Sequence, residues 1–95
     1  MDLAAALRAF TRTVERGSLT AAARDLSLSQ PAVSKHIANL ERHVRARLLE
    51  RSARTVRATP EGQALYDASR SALASIDAAV EGLYAMAGAI EGTVR

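Results

Sequence analysis

Residues 18–37 read Ser18-Leu19-Thr20-Ala21-Ala22-Ala23-Arg24-Asp25-Leu26-Ser27-Leu28-Ser29-Gln30-Pro31-Ala32-Val33-Ser34-Lys35-His36-Ile37. Two short helical patterns are joined by the turn Leu26-Ser27-Leu28-Ser29, and the second opens on small polar side chains. This is the layout of a helix-turn-helix, whose second helix lies in the major groove of DNA with its first turn against base edges. The spacing carries the reading. Ala22, Ala23 and Leu26 form the inward face of the first helix, and Leu28 is expected to plug the turn. Val33, Ile37, Leu40 and Val44 then recur at steps of four, three and four residues, as a buried helical stripe requires. At roughly 100° per residue, the opposite face shows Pro31, Ser34, Lys35, Ala38 and Arg42, which are mostly small and can approach a groove closely.

Working outward, Leu3, Leu7, Phe10 and Val14 recur with helical spacing, predicting an amphipathic helix from about Asp2 to Arg16. Gly17 is placed as a left-handed cap, and Ser18 as the cap of a helix over 19–26. Either Ser29 or Gln30 starts the recognition helix, 30–43, with Pro31 in its first turn, where the missing N–H is not needed. Residues 48–51 and 56–59 then read as two short strands around a tight loop, the position of a wing. Thr59-Pro60-Glu61 is a helix start with a capping hydroxyl, a first-turn proline and a first-turn acid. In the helix that follows, Tyr66, Ser69, Leu73, Ile76, Val80, Leu83, Ala87 and Ile90 alternate by three and four residues. Such a seam suits pairing with another helix. The alternative is a helix packed only on its own domain. Gly82 and Gly88 each weaken this helix by about 1 kcal/mol relative to alanine. Either they permit a close helix approach or the end frays.

Ninety-five residues with 48% hydrophobic but only 3% aromatic content suit one small, alanine-rich helical domain plus a long helix. The charge is unevenly spread. Between Arg24 and Arg57 eight cations face three anions, net +5, whereas Glu61 to Arg95 carries −3. A basic middle followed by a mildly acidic helix points to a polyanionic partner for the middle. With no cysteine, neither a disulfide nor a thiolate metal site can form. No apolar run reaches the length of a membrane span and no signal-peptide pattern opens the chain, so a soluble, intracellular chain without a membrane partner is expected.

Taken together, these residues resemble the N-terminal DNA-binding region of LysR-type transcriptional regulators. The resemblance rests on the Leu7-to-Phe10 pattern, Gly17-Ser18-Leu19-Thr20 with Ala22-Ala23, and Ser29-Gln30-Pro31-Ala32-Val33-Ser34-Lys35. It also includes Leu40-Glu41, Leu48-Leu49-Glu50-Arg51 and Thr59-Pro60-Glu61-Gly62, so it covers essentially the whole chain. It implies a mainly α fold: a winged helix-turn-helix over 1–59, with the helix-turn-helix at about 18–37, then a linker and dimerisation helix over 60–90. Residues 91–95 then look like the start of an effector-binding domain, through which alone a small-molecule effector would act.

The implied function is sequence-specific binding of double-stranded DNA by a dimer on a near-palindromic operator, in the bacterial cytoplasm and at the nucleoid when bound. The recognition helix would enter the major groove, and the wing, 48–59, would meet the minor groove. Gln30, Pro31, Ser34 and Lys35 are the implied base contacts: Gln30 could pair bidentately with adenine, Pro31 touch a thymine methyl and Lys35 donate to guanine or a phosphate. Ser18, Thr20, Ser27 and Ser29, read as lying at helix starts, would meet phosphates, the alternative for each serine being plain capping. Arg51 and Arg54 would serve the wing, with Arg54 in the minor groove, while Arg42, Arg45 and Arg47 read as solvated charge. Leu73, Ile76, Val80, Leu83, Ala87 and Ile90 would form the homodimer interface through the linker helix, in antiparallel array.

Three positions depart from the family pattern. Arg45 stands where a glycine usually ends the recognition helix, so a different ending is expected; Leu49 replaces a common phenylalanine and Ala58 a common leucine, thinning the packing under the wing. His36 and His43, seven residues apart, would sit about 10 Å apart along a helix, too far to share a metal, and no cofactor is expected. No glycine-rich phosphate loop, nucleophile elbow or paired carboxylates appear, so no enzyme is expected. The rival readings are a winged-helix regulator of a MarR-like family, and a helical protein-interaction module that uses the seam over 73–90.

Overall fold

The structure, a computed structural model, describes residues 1–52 and 55–91, with side chains described as far as Gly88. Ala53, the wing candidate Arg54, the side chain of Ile90 and residues 92–95 of the domain start expected at 91–95 lie outside the described residues, and Glu91 belongs to the long helix. The order is α1 (Leu3–Arg16), α2 (Leu19–Leu26), α3 (Gln30–Val44), β1 (Leu49–Arg51), β2 (Val56–Ala58) and α4 (Pro60–Glu91). It is the expected mainly α winged helix-turn-helix followed by one long helix.

Local chemistry sets the boundaries. Asp2 caps α1 by accepting from the Ala5 N–H at 3.0 Å, and Gly17 ends it at φ 64°, donating to the Thr13 carbonyl at 2.8 Å. Ser18 and Ser29 cap α2 and α3 through the Ala21 and Ala32 N–H groups, which resolves the ambiguous start of α3 in favour of Ser29. Arg45 corrects one expectation. It adopts the left-handed geometry itself, at φ 58°, and its N–H reaches the Glu41 carbonyl, so α3 ends as it would at glycine despite a local cost of about 1–2 kcal/mol.

The core gathers Ala6, Ala9, Phe10, Ala22, Ala23, Val33, Ile37 and Leu40 from the three helices, with Leu48 and Leu49 beneath the wing. Alanines let α1 lie close against α2 and α3, and Phe10 is the largest side chain fully buried among them. Leu3, Leu28 and Val44 correct the sequence reading, being exposed to 45, 41 and 40%. Leu3 and Val44 sit at helix ends, where periodicity assigns a face but no neighbour covers it. Leu28 follows Ser27, a left-handed residue at φ 57°, and the turn is closed by the Leu28 N–H on the Ala23 carbonyl at 2.9 Å rather than by an apolar plug.

The wing is antiparallel, with Leu49 opposite Ala58, Glu50 opposite Arg57 and Arg51 opposite Val56. Its packing holds without the larger residues, because Leu48 and Leu49 are both almost fully buried and Val56 leans on the same core. Along α4, Leu65 and Tyr66 are partly buried and Ser69 and Leu73 buried, whereas Ile76, Val80 and Leu83 are exposed. The helix therefore overhangs its domain, and the molecule measures 53 × 23 × 21 Å. Gly82 meets nothing within 4 Å, and the helix runs through Gly88, so neither a close approach within the chain at Gly82 nor an end at Gly88 is seen.

Gly62 is the opposite case. A Cβ there would collide with the Leu48 carbonyl oxygen and lie 2.9 Å from its carbon, both backbone atoms. Gly62→Ala should therefore lower stability by about 2–3 kcal/mol, roughly 10–20 °C in Tm. Gly82→Ala, on an open helix surface, should raise it by about 0.5–1 kcal/mol. Thermal denaturation of the two variants checks the opposite signs.

Candidate nucleic-acid interface

The N-terminal end of α3 carries the implied reading residues on one open face. Gln30, Pro31 and Lys35 are exposed, Ser34 is half-buried beside them, and Ala38 and Arg42 extend the same face along the helix. Burial of Val33, Ile37 and Leu40 against the core turns that face outward and fixes its rotation about the helix axis. Thr20, in the first turn of α2, stands at the edge of this face, and its hydroxyl donates to Gln30 Oε1 at 3.2 Å. Ser18 and Ser29 lie at helix starts as expected. Ser27 does not: it is the left-handed C-cap of α2, so the reading of Ser27 as a helix start is corrected.

Charge is sorted by face. Arg12 and Arg16 pair with Asp25 at 3.8 and 2.8 Å, Arg12 also approaches Glu15 at 3.4 Å, and Arg8 meets Asp77 at 3.1 Å. These pairs lie on the α1 side. Tyr66 Oη donates to Glu15 at 2.9 Å there, and burial, then this carboxylate, pushes the phenol above its ordinary pKa. Among the described residues, Lys35, Arg42, Arg45, Arg51 and Arg57 make no ion pair and are exposed, so the face of α3 and the wing carries a net positive charge toward solvent. That surface is suited to a polyanion.

The wing is hung from α3 by a residue whose role the sequence reading missed. Glu41 Oε2 accepts from the Leu48 N–H at 2.7 Å and the Leu49 N–H at 3.2 Å, with Arg47 Nε 3.7 Å away. An acid in the last turns of a helix opposes the macrodipole, which is the local signal that it is held by a partner elsewhere. Thr59 completes the junction. Its hydroxyl donates to the Arg47 carbonyl at 2.6 Å and accepts from the Gly62 N–H at 3.0 Å, while its own N–H meets the Leu48 carbonyl at 3.0 Å.

Of the implied dimer residues, Leu73 is corrected: at 8% exposure it is covered by its own domain, on the side of α4 that meets α1. Ile76, Val80 and Leu83 are exposed to 49, 43 and 64%, with Ala87 open beyond them and Tyr84 and Met86 widening the apolar surface.

Three buried helices, a two-stranded wing and an outward recognition face on α3 define a winged helix-turn-helix. The sequence profile of the bacterial regulatory helix-turn-helix proteins of the lysR family matches residues 4–63. Among curated relatives, the regulator BenM of Acinetobacter baylyi is 39% identical over 89 residues, 94% of this chain and 29% of its own length. The activator AaeR of Escherichia coli is 37% identical over 86 residues, 90% of this chain and 28% of its own. The crystal structure of the BenM DNA-binding domain with catB site 1 DNA superposes with a TM-score of 0.83 at 39% identity, covering 92% of this chain and 96% of that one. The CbnR DNA-binding domain in its DNA complex gives 0.79 at 31%, covering 92 and 99%. The chain belongs to the LysR family of bacterial regulatory helix-turn-helix proteins and corresponds to the DNA-binding domain of its relatives, which sets aside the MarR-like alternative. It spans under a third of the length of BenM and of AaeR.

Removing the Glu41 carboxylate would strand two backbone donors. Glu41→Ala should cost about 1–3 kcal/mol and speed hydrogen exchange at the Leu48 and Leu49 amides, with Glu41→Gln intermediate because it keeps one acceptor. Exchange no faster than in the parent would show that the wing is held by other means.

Proposed function

We propose that two copies of this chain read a near-palindromic duplex, each placing α3 in the major groove and its wing at the minor groove. The observation that carries this reading is the exposed Gln30-Pro31-Ser34-Lys35 face, set among cations that have no carboxylate partner among the described residues. Gln30, Pro31, Ser34 and Lys35 contact bases; Ser18, Thr20, Ser29, Arg51 and Arg54 serve the backbone and the wing. Ser18 and Ser29 already accept N–H groups as caps, and each hydroxyl keeps its own proton for a phosphate oxygen. Ser27, beside the start of α3, stays in the phosphate set on its exposure alone.

One such module meets only a few base pairs, so useful specificity calls for two at fixed separation. The exposed stripe Ile76-Val80-Leu83-Ala87 supplies the contact between antiparallel linker helices, and Ile90 continues it in sequence. The protein acts in the bacterial cytoplasm, at the nucleoid when bound. A small-molecule effector would act through a domain outside these 95 residues.

DNA binding should weaken steeply with salt, by about 0.9 log units per decade of salt for each phosphate neutralised. Lys35→Ala should reduce that slope by up to about one unit per subunit if it meets phosphate, measured by gel shift across a salt series. A parent slope near zero would exclude duplex DNA as the partner.

Ile76→Glu or Val80→Glu places a charge in the paired seam. Each should yield monomers in sedimentation while circular dichroism keeps its helical signal. A parent that is monomeric at tens of micromolar, or variants that remain dimeric, would place the stripe elsewhere.

A further inference from the structure

The bond between Thr20 and Gln30 bears on what Gln30 reads. It joins exposed residues of two different helices, ten positions apart in the chain, with the hydroxyl donating to the amide oxygen at 3.2 Å. An exposed bond of this kind competes with water and adds little to folding. Its effect is on direction. With Oε1 drawn back toward α2 and one of its two lone pairs engaged, the Nε2 amino group is the end of Gln30 directed to a ligand, and it can only donate.

Bidentate pairing with adenine needs the opposite orientation: an amide oxygen turned to the base to accept from N6–H while the amino group donates to N7. Guanine offers N7 and O6 in the major groove, both acceptors, which suits a group that presents donors alone. We propose that Thr20 is a positioning residue for base readout, whose hydroxyl holds the Gln30 amide so that its amino group meets acceptor atoms, favouring guanine over adenine. This rests on the reading of Gln30 as a base contact and replaces the adenine pairing expected from the sequence.

The test is base preference, not affinity alone. Duplexes enriched from a random pool by the parent chain are resynthesised with each of the four base pairs at every position, and competition binding is measured for the parent, Gln30→Ala, Thr20→Val and Thr20→Ser. Thr20 is exposed in the first turn of α2, so both of its variants should fold, which circular dichroism checks. Gln30→Ala marks the position that Gln30 reads, where the parent should prefer guanine. Thr20→Val should reduce the guanine-over-adenine ratio there by about 3- to 10-fold, as expected for one hydrogen bond, and Thr20→Ser should restore it. A Thr20→Val loss that is equal for all four bases leaves Thr20 with its backbone role alone and overturns the proposal, although Gln30 remains a base reader. A Gln30→Ala profile with no affected position overturns both the proposal and the reading beneath it.

Discussion

The N–H groups of Leu48 and Leu49 both hang on the Glu41 carboxylate, and the placement of the wing relative to α3 depends on that contact. Glu41 lies in the last turn of the same helix that carries Gln30 at its other end, so one helix holds both the reading end and the anchor of the wing. The neighbouring bonds extend the anchor to the linker helix. Thr59 holds the Arg47 and Leu48 carbonyls on one side and the Gly62 N–H on the other, and Gly62 allows α4 to start directly against the Leu48 backbone. Recognition helix, wing and linker thus meet at Glu41, Arg47, Leu48, Leu49, Thr59 and Gly62.

The charge pattern serves the same geometry. Carboxylates of α1, α2 and α4 neutralise the arginines of α1, leaving the cations of α3 and the wing free on the side where small residues permit close approach. Long-range attraction and short-range fit therefore fall on one surface, while the apolar stripe of α4 lies on the overhang beyond the domain. The winged domain has its own core, and α4 adds the buried Ser69 and Leu73 and the partly buried Leu65 and Tyr66 to it.

Much of this was legible in the sequence because the signals were local. Gly17, Ser18, Thr59 and Pro60 mark helix ends through backbone chemistry that needs no tertiary knowledge, and the Val33-Ile37-Leu40 spacing oriented α3 correctly. What the sequence hid depends on neighbours. Periodicity placed Leu3 and Val44 on a buried face without showing that nothing covers the helix ends. Leu28 was read as a plug because a left-handed serine before it was not foreseen. Arg45 shows a turn kept by its surroundings where the local residue disfavours it. Leu73 fits the heptad seam as well as Ile76 does, and only the position of α1 decides that it faces inward. Glu41 and Thr20 act across elements, where spacing along one helix carries no information. The base and phosphate roles assigned to the open face of α3 come from resemblance, and the structure adds the exposure and partners of those residues.

The central claim is that two copies of this head read one duplex at a separation set by their linker helices. Selection from a random duplex pool by the parent chain, followed by sequencing of the bound fraction, tests it most directly. The account predicts an enriched site made of two inverted half-sites, with centres about one helical turn or a whole multiple of it apart, roughly 10–10.5 base pairs per turn. Enrichment of a single half-site, of direct repeats, or of inverted halves at no preferred spacing would contradict it.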